Sequence, residues 1–285
     1  MTTTTTVPAL APRRGFGRFL LYAVAVAVLL VIVIPLTFSV LGGFRSNGQL
    51  AADPVGFPDP WVWSNYQTTL SNPAFYSQLR NSVVIALVAT ILVLPAASLA
   101  AFVIARYRFR GREVIYTLFT LGLLFPVAVA ILPLFITLRQ TGLLNNPLGV
   151  ALPQAAFGLP LSIVILRPFF RSIPRDLEDA AAIDGCGPLR FYWSVMLPLS
   201  RPVLSTIAVL TIVGSWNAFL LPLLVLIKPE EWTLPIGVNN ISAQYVTDTA
   251  MILAYTTLAM IPALVFYFIA QRQIVSGLTA GGVKG

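Results

Sequence analysis

Of 285 residues only 10 % are charged and 57 % are hydrophobic, with a mean hydropathy of +0.85; a water-soluble domain, with about a quarter of its residues charged, is excluded. Eighteen Lys and Arg against ten Asp and Glu give a net charge of +8, yet the arginines flank apolar runs and build no continuous basic face, which argues against nucleic acid. One cysteine, Cys186, and no histidine leave an internal disulfide, a cysteine-cluster metal site and zinc or imidazole catalysis without their residues.

Met1 to Pro12 is a low-complexity stretch of Thr and Ala, followed by Arg13, Arg14 and Arg18. The apolar run Phe19–Leu41 comes next. It is too long for a signal peptide and lacks a small-residue cleavage site, so it reads as a retained first membrane helix. Gly42 to Gln78 follows, rich in Pro and in aromatics such as Trp61, Trp63, Tyr66, Phe75 and Tyr76. It suits an interfacial belt with a short surface helix, or contact with an external partner. Further apolar runs span Leu79–Ala105, Val114–Leu138, Gly149–Leu166, Val203–Ile227 and Met251–Ala270. The fourth of the six is short and bracketed by Pro153 and Pro160. Such lengths suit helices of about 20 residues, and a barrel would instead show alternating segments of about ten. The expected fold is an all-α polytopic membrane protein of six transmembrane helices. Pro35, Pro95, Pro126, Pro133, Pro222 and Pro262 predict a bent bundle.

Fourteen of the eighteen basic residues fall on one side of this arrangement, while the acidic residues divide five and five. The positive-inside rule then makes both termini cytoplasmic: a tail of residues 1–18, a permeation domain over 19–270, and a tail of 271–285. The loop between spans four and five, residues 167–202, is cytoplasmic too.

That loop holds four of the ten acidic residues. Pro174 suits a first helical turn, and Asp176, Glu178 and Asp179 crowd the positive end of the helix dipole. Ala180, Ala181 and Ala182 favour helix and allow close approach to another surface. Gly185, Gly187 and Pro188 end it. A second short helix is expected over Leu189–Leu197, with Phe191, Val195 and Tyr192 inward and Pro198 as its stop.

The four carboxylates do not converge as a metal cluster: Asp179 and Asp184 stand five residues apart, and no histidine assists them. No G-x-x-x-x-G-K-[ST] loop is present, so the chain holds no nucleotide by that route. Spans two, three, five and six carry no acidic residue in their apolar cores, which disfavours an ion-coupled secondary carrier. A transporter without an ion-coupling carboxylate or a nucleotide site requires a partner as its motor.

The stretch Asp179-Ala180-Ala181, three residues, Asp184 within them, then Gly185, nine residues, Val195, Met196 and Leu197-Pro198 resembles the cytoplasmic signature of ABC importer permeases. Within them it is similar to the binding-protein-dependent carbohydrate group, typified by the second membrane subunit of the maltose system. Asp179 stands for the group's Glu, Val195 for Ile, and Cys186 for a small Ala. The likeness extends to Asn65-Tyr66, Asn81-Ser82, Ala101-Phe102, Arg106, the Arg108–Arg112 turn, Trp216-Asn217 and the tail from Gln271-Arg272 to Lys284-Gly285. Ala218 stands where the group often has an acidic residue.

The resemblance implies a heterodimer with a second permease in the bacterial cell membrane. It also implies two cytoplasmic ATP-binding subunits, which hold ATP and Mg, and an extracytoplasmic solute-binding protein. This chain would bind no cofactor, and Asp179 to Gly185 would enter a cleft on the ATPase as a coupling helix. Trp216, Asn217, Tyr255 and Phe135 are candidate lining residues for the solute passage. Sugars and glycerophosphodiesters both remain open as cargo.

Overall fold

The computed structural model describes residues 14–244 and 248–280. Met1 to Arg13 at the start, and Gly282, Lys284 and Gly285 in the tail, for which the sequence raises expectations, lie outside the described residues. The described chain is helical throughout: α1 (Arg14–Gly42), α2 (Asn47–Ala52), α3 (Ser64–Ser71), α4 (Pro73–Arg106), α5 (Arg112–Gly122), α6 (Val127–Gln140) and α7 (Pro147–Ser172) come first. There follow α8 (Asp176–Ile183), α9 (Pro188–Phe191), a π-helical turn (Tyr192–Met196), α10 (Leu197–Leu199), α11 (Arg201–Trp216), α12 (Leu220–Val225), α13 (Leu234–Gln244) and α14 (Thr249–Ala280).

Four of these helices are long and apolar enough to cross a bilayer: Gly17–Gly42, Pro73–Arg106, Pro147–Ser172 and Thr249–Gln271. Counting each of two bent pairs as one span raises the number to six.

The centre is the pair α4 and α7, which run side by side in the same direction. Both begin with an Asn-Pro pair. The Asn72 and Asn146 side chains accept from the amides of Ala74 (3.0 Å) and Leu148 (2.9 Å), and the proline follows at a position whose missing N–H costs nothing. On α4, Ile85, Ala89, Val93, Ala97, Ala101 and Ala105 recur every fourth residue and are all buried. That row is a ridge of mostly small side chains, which lets the α7 backbone approach closely. On α7, Val150 and Ala151 are buried in one cluster with Ile85 and Ala89, and Ala155, Ile163, Leu166 and Phe170 in a second with Val93, Ala97, Ala101 and Ala105. Helix α11 packs on α4, and α14 on α11, while α1 lies against α14 with its Phe19–Ile34 stretch exposed.

Three expected boundaries are corrected. The span Val114–Leu138 is broken at residues 123–126, where α5 and α6 meet at 96°. Pro126 has no N–H and takes extended backbone (φ −73°, ψ 120°), so α6 starts afresh after it. Val203–Ile227 is interrupted at residues 217–219, between α11 and α12. Conversely, the span expected as Gly149–Leu166 continues to Ser172 with Pro153, Pro160 and Pro168 inside it. Packed neighbours tolerate these prolines, so the loop begins at Ile173 rather than at Arg167.

Candidate functional site

One end of the bundle carries Arg106 at the close of α4, Arg112 and Glu113 at the start of α5, Arg167 and Arg171 on α7, and the α8–α10 segment. Helix α8 is built as its residues dictate. Asp176, Glu178 and Asp179 occupy its first turn. At its other end the Gly185 amide donates to Ala182 O (3.0 Å) and the Cys186 amide to Ala181 O (2.8 Å). These paired bonds need a left-handed residue, and Gly185 has φ +71°. A Cβ there would meet no atom of the described residues within 4 Å, so among them the glycine is required by conformation alone.

The inner side of α8 is anchored by Arg106, whose side chain is 2 % exposed. Its Nε donates to Glu178 Oε2 (3.0 Å), while Nη1 donates to the carbonyls of Phe170 (3.3 Å) and Ile173 (2.7 Å) and Nη2 to Pro174 O (3.4 Å). One guanidinium therefore ties the end of α4, the end of α7 and the first turn of α8. Sequence reading assigned Glu178 to the helix dipole and missed this pairing, because 72 residues separate the partners.

A second anchor lies after the Gly turn. Phe191, Tyr192 and Met196 are buried, whereas Val195 is only half-buried. The stripe expected over Phe191, Tyr192 and Val195 is corrected to Met196 because the π-turn inserts an extra residue and shifts the phase. The Leu197 amide accordingly reaches back to Tyr192 O, and the helix runs on through Pro198 to Leu199 instead of stopping at Pro198. The Tyr192 hydroxyl lies 2.6 Å from Ser98 Oγ, and its ring packs on Phe102 with centroids 5.1 Å apart. Ala181, Cys186, Val195 and Leu197 rest on this cluster.

The outer side of the same segment leaves its apolar side chains uncovered by the described residues. Asp179, Ala180, Asp184 and Gly185 are exposed, as is Pro198. Ile183 is 86 % exposed, and Leu177, Leu189 and Trp193 are exposed beside the carboxylates. Nearby, Glu113 bonds Arg167 through both carboxylate oxygens (2.6 Å for Oε2) and Arg171 at 3.1 Å, with the Arg167 guanidinium 3.7 Å from the Tyr116 ring centroid. That network fastens α5 to α7.

Residues 93–279 match the family model of the "binding-protein-dependent transport system inner membrane component", a range that includes the whole α8–α10 segment. The chain belongs to that family. It is 35 % identical over 253 residues to the diacetylchitobiose uptake system permease protein NgcG of Streptomyces coelicolor, covering 88 % of this chain and 84 % of that protein. It is 33 % identical to the sulfoquinovosyl glycerol transport system permease protein SmoH of Agrobacterium fabrum, in an alignment of 287 positions that covers 100 % of each chain. With the trehalose transport system permease protein SugB of Mycobacterium tuberculosis it shares 37 % identity over 230 residues, 80 % of this chain and 84 % of that one. Among solved structures, a chain of a bacterial ABC transporter involved in the import of the acidic polysaccharide alginate has the same fold: TM-score 0.77 at 22 % identity, covering 93 % of this chain and 99 % of that chain. As a member of this family the chain is a translocation subunit and not an enzyme.

The four expected passage residues are dispersed. Trp216 and Asn217, at the α11 break, both border two cavities, of about 200 Å³ and about 360 Å³. The Asn217 side chain donates to Val213 O (2.9 Å). Tyr255 is buried; its hydroxyl bonds Gln78 Oε1 and its ring meets Phe75 edge-on. Phe135 stands half-exposed on α6 and borders neither cavity. A larger cavity, about 470 Å³, lies between α7 and α11, with Gln154, Phe157, Ser162, Thr211, Ser215 and Phe219 on its wall. None of these was singled out from sequence, since a lone Gln or Ser in an apolar run carries no periodic signal. Among the described residues no group of three His, Cys, Asp or Glu is placed to hold a metal ion, and Cys186 is a free thiol.

Proposed function

We propose that the chain is the membrane-spanning permease of an ATP-driven sugar or oligosaccharide importer and that α8 is the helix through which its motor acts. The family supplies the first half of this reading. Its sugar permease relatives support the cargo class, and the likeness to the maltose system's second subunit makes the expected partner a different permease. The single observation that carries the second half is the two-sided character of α8: one side held by Arg106, the other presenting Asp179–Gly185 beside an exposed Ile183.

A cleft on an ATPase subunit would receive Asp179, Ala180 and Gly185, with Asp184, Val195 and Leu197-Pro198 completing the motif. ATP and Mg stay on the two ATPase subunits, at the cytoplasmic face where the basic-residue bias places both termini. Closure of that pair draws the docked helices together. Because Arg106 joins α8 to α4 and α7, displacement of α8 tilts those helices, and the bundle opens toward an extracytoplasmic solute-binding protein.

The test is reconstitution of this chain with a second permease, the ATPase pair and the binding protein in vesicles. Asp179→Lys reverses the charge on the exposed face without touching Arg106, and it should abolish sugar uptake and release the ATPase subunits. Unchanged uptake with an intact complex would overturn the assignment of α8.

A further inference from the structure

We infer that the turn between α4 and α5 binds an anionic phospholipid, with Arg108 and Arg110 for the phosphate and the exposed stripe of α5 for the acyl chains. Residues 107–111 make this turn: Tyr107 leaves α4 with extended backbone (φ −97°, ψ 145°), and Gly111 enters α5 at φ +85°. Beside it lies a cavity of about 310 Å³ lined by Arg108, Phe109, Gly111, Arg112, Glu113 and Val114, at the small end of ligand sites. Its charges are unevenly matched. Glu113 is already shared by the guanidinium groups of Arg112 (2.9 Å), Arg167 and Arg171 (3.1 Å). Arg108 is exposed on the cavity wall and Arg110 is exposed on the same turn; among the described residues neither side chain has a hydrogen bond or an ion pair. One carboxylate among these arginines leaves a surplus of positive charge, and a guanidinium meets a phosphate through two parallel N–H donors.

Two observations favour a lipid over a free anion or an acidic protein. The turn follows directly on α4, whose length and apolar composition suit a membrane span, so its arginines stand at the level of the headgroups. From the cavity, Val114, Leu118 and Leu121 recur at helical spacing along α5; all are exposed, and so is Phe109 beside the arginines. A cationic pocket continuous with an apolar stripe has the two-part character of a phospholipid, phosphate at one end and hydrocarbon along the other. A free phosphate leaves the stripe unused. An acidic protein segment would match the arginines but not the apolar face that continues from them. The site depends on the placement of α4 and α5 in the membrane, not on what the passage carries.

The purified full complex is titrated with phosphatidylglycerol and with phosphatidylcholine of the same acyl chains, and bound lipid is read by native mass spectrometry. Each arginine near a membrane surface favours an acidic lipid by a factor of about five, so Arg108→Gln should weaken phosphatidylglycerol retention about fivefold, and Arg108→Gln with Arg110→Gln about thirtyfold. Phosphatidylcholine retention should be the same in wild type and both variants. Undiminished phosphatidylglycerol on the double variant refutes the site, and loss of the ATPase subunits at the same time would mark the patch as a protein contact. Displacement of the lipid by inorganic phosphate would also refute it, by reassigning the pocket to a free anion. Because these arginines also help to orient the helices, wild type alone supplies a second measurement should the double variant fail to insert. Phosphatidylglycerol should raise its thermal midpoint and phosphatidylcholine should not; equal shifts contradict the proposal.

Discussion

The α8–α10 segment and the α7–α11 cavity differ in how their polar groups are met, although Arg167 Nε and Ser200 Oγ beside the first are, like Gln154 Nε2 at the second, buried without a partner among the described residues. At the first, Arg106 spends its donors on Glu178 and three backbone carbonyls, the carbonyls at the end of α8 are met by Gly185 and Cys186, and Tyr192 is paired with Ser98. At the second, the α5–α6 and α11–α12 breaks border one cavity, and the buried Gln154 Nε2 has no partner among the described residues. Satisfied networks rigidify, whereas an unpaired buried polar group is costly. The densely paired Arg106 and Tyr192 contacts suit the proposed role of α8 as a lever, which must not yield under force.

The heaviest blow to the contrast is Arg106→Ala. It strands Glu178, half-buried and uncompensated, together with three carbonyls at the α7 terminus. Breaking a buried pair in this way costs about 3 kcal/mol. Limited proteolysis should then cut residues 173–187, and the thermal midpoint of the purified complex should drop; an uncut loop would show that α8 is held by something else. Gly185→Val comes second, at about 1–2 kcal/mol, because a β-branched residue must hold φ near +71°. Its effect should be confined to α8: ATPase subunits are lost on purification while the midpoint of the bundle stays put. Gly187→Ala is the control, since Gly187 sits at φ −66° with no atom within 4 Å of an added Cβ.

Tyr192→Phe removes one buried hydrogen bond and should lower stability by about 1 kcal/mol, read as a shifted midpoint. Gln154→Met is the smallest and has the opposite sign. Removing a half-satisfied amide should leave the midpoint unchanged or raise it by up to about 1 kcal/mol. Equal losses in the last two would erase the distinction between the paired Tyr192 and the half-paired Gln154.

What the sequence disclosed was local. Pro174, the clustered acids, three alanines and Gly185 are decided within a dozen residues, and both ends of α8 follow from them. The apolar runs were equally legible because bilayer thickness sets their length. Contacts between distant residues were not. Arg106 and Glu178 are 72 residues apart, and Gln154 and Ser215 are 61 apart; nothing in either neighbourhood names the partner. The π-turn escaped for a different reason: Tyr192–Met196 has ordinary helical composition, and only the packing of three large side chains shows the shifted phase. Proline was ambiguous in both directions, since Pro126 ends a helix while Pro153, Pro160 and Pro168 are absorbed.

The central claim is that the exposed side of α8 is where the motor docks, and Ile183 tests it with the least disturbance. Its side chain is 86 % exposed and makes no part of the Arg106 or Tyr192 anchors, so Ile183→Glu should leave the fold intact. The measurement is co-purification of the ATPase subunits with tagged permease, alongside the thermal midpoint of the bundle. The account predicts loss of the ATPase subunits at an unchanged midpoint. Full retention of the ATPase, with sugar uptake at the wild-type rate, would contradict it.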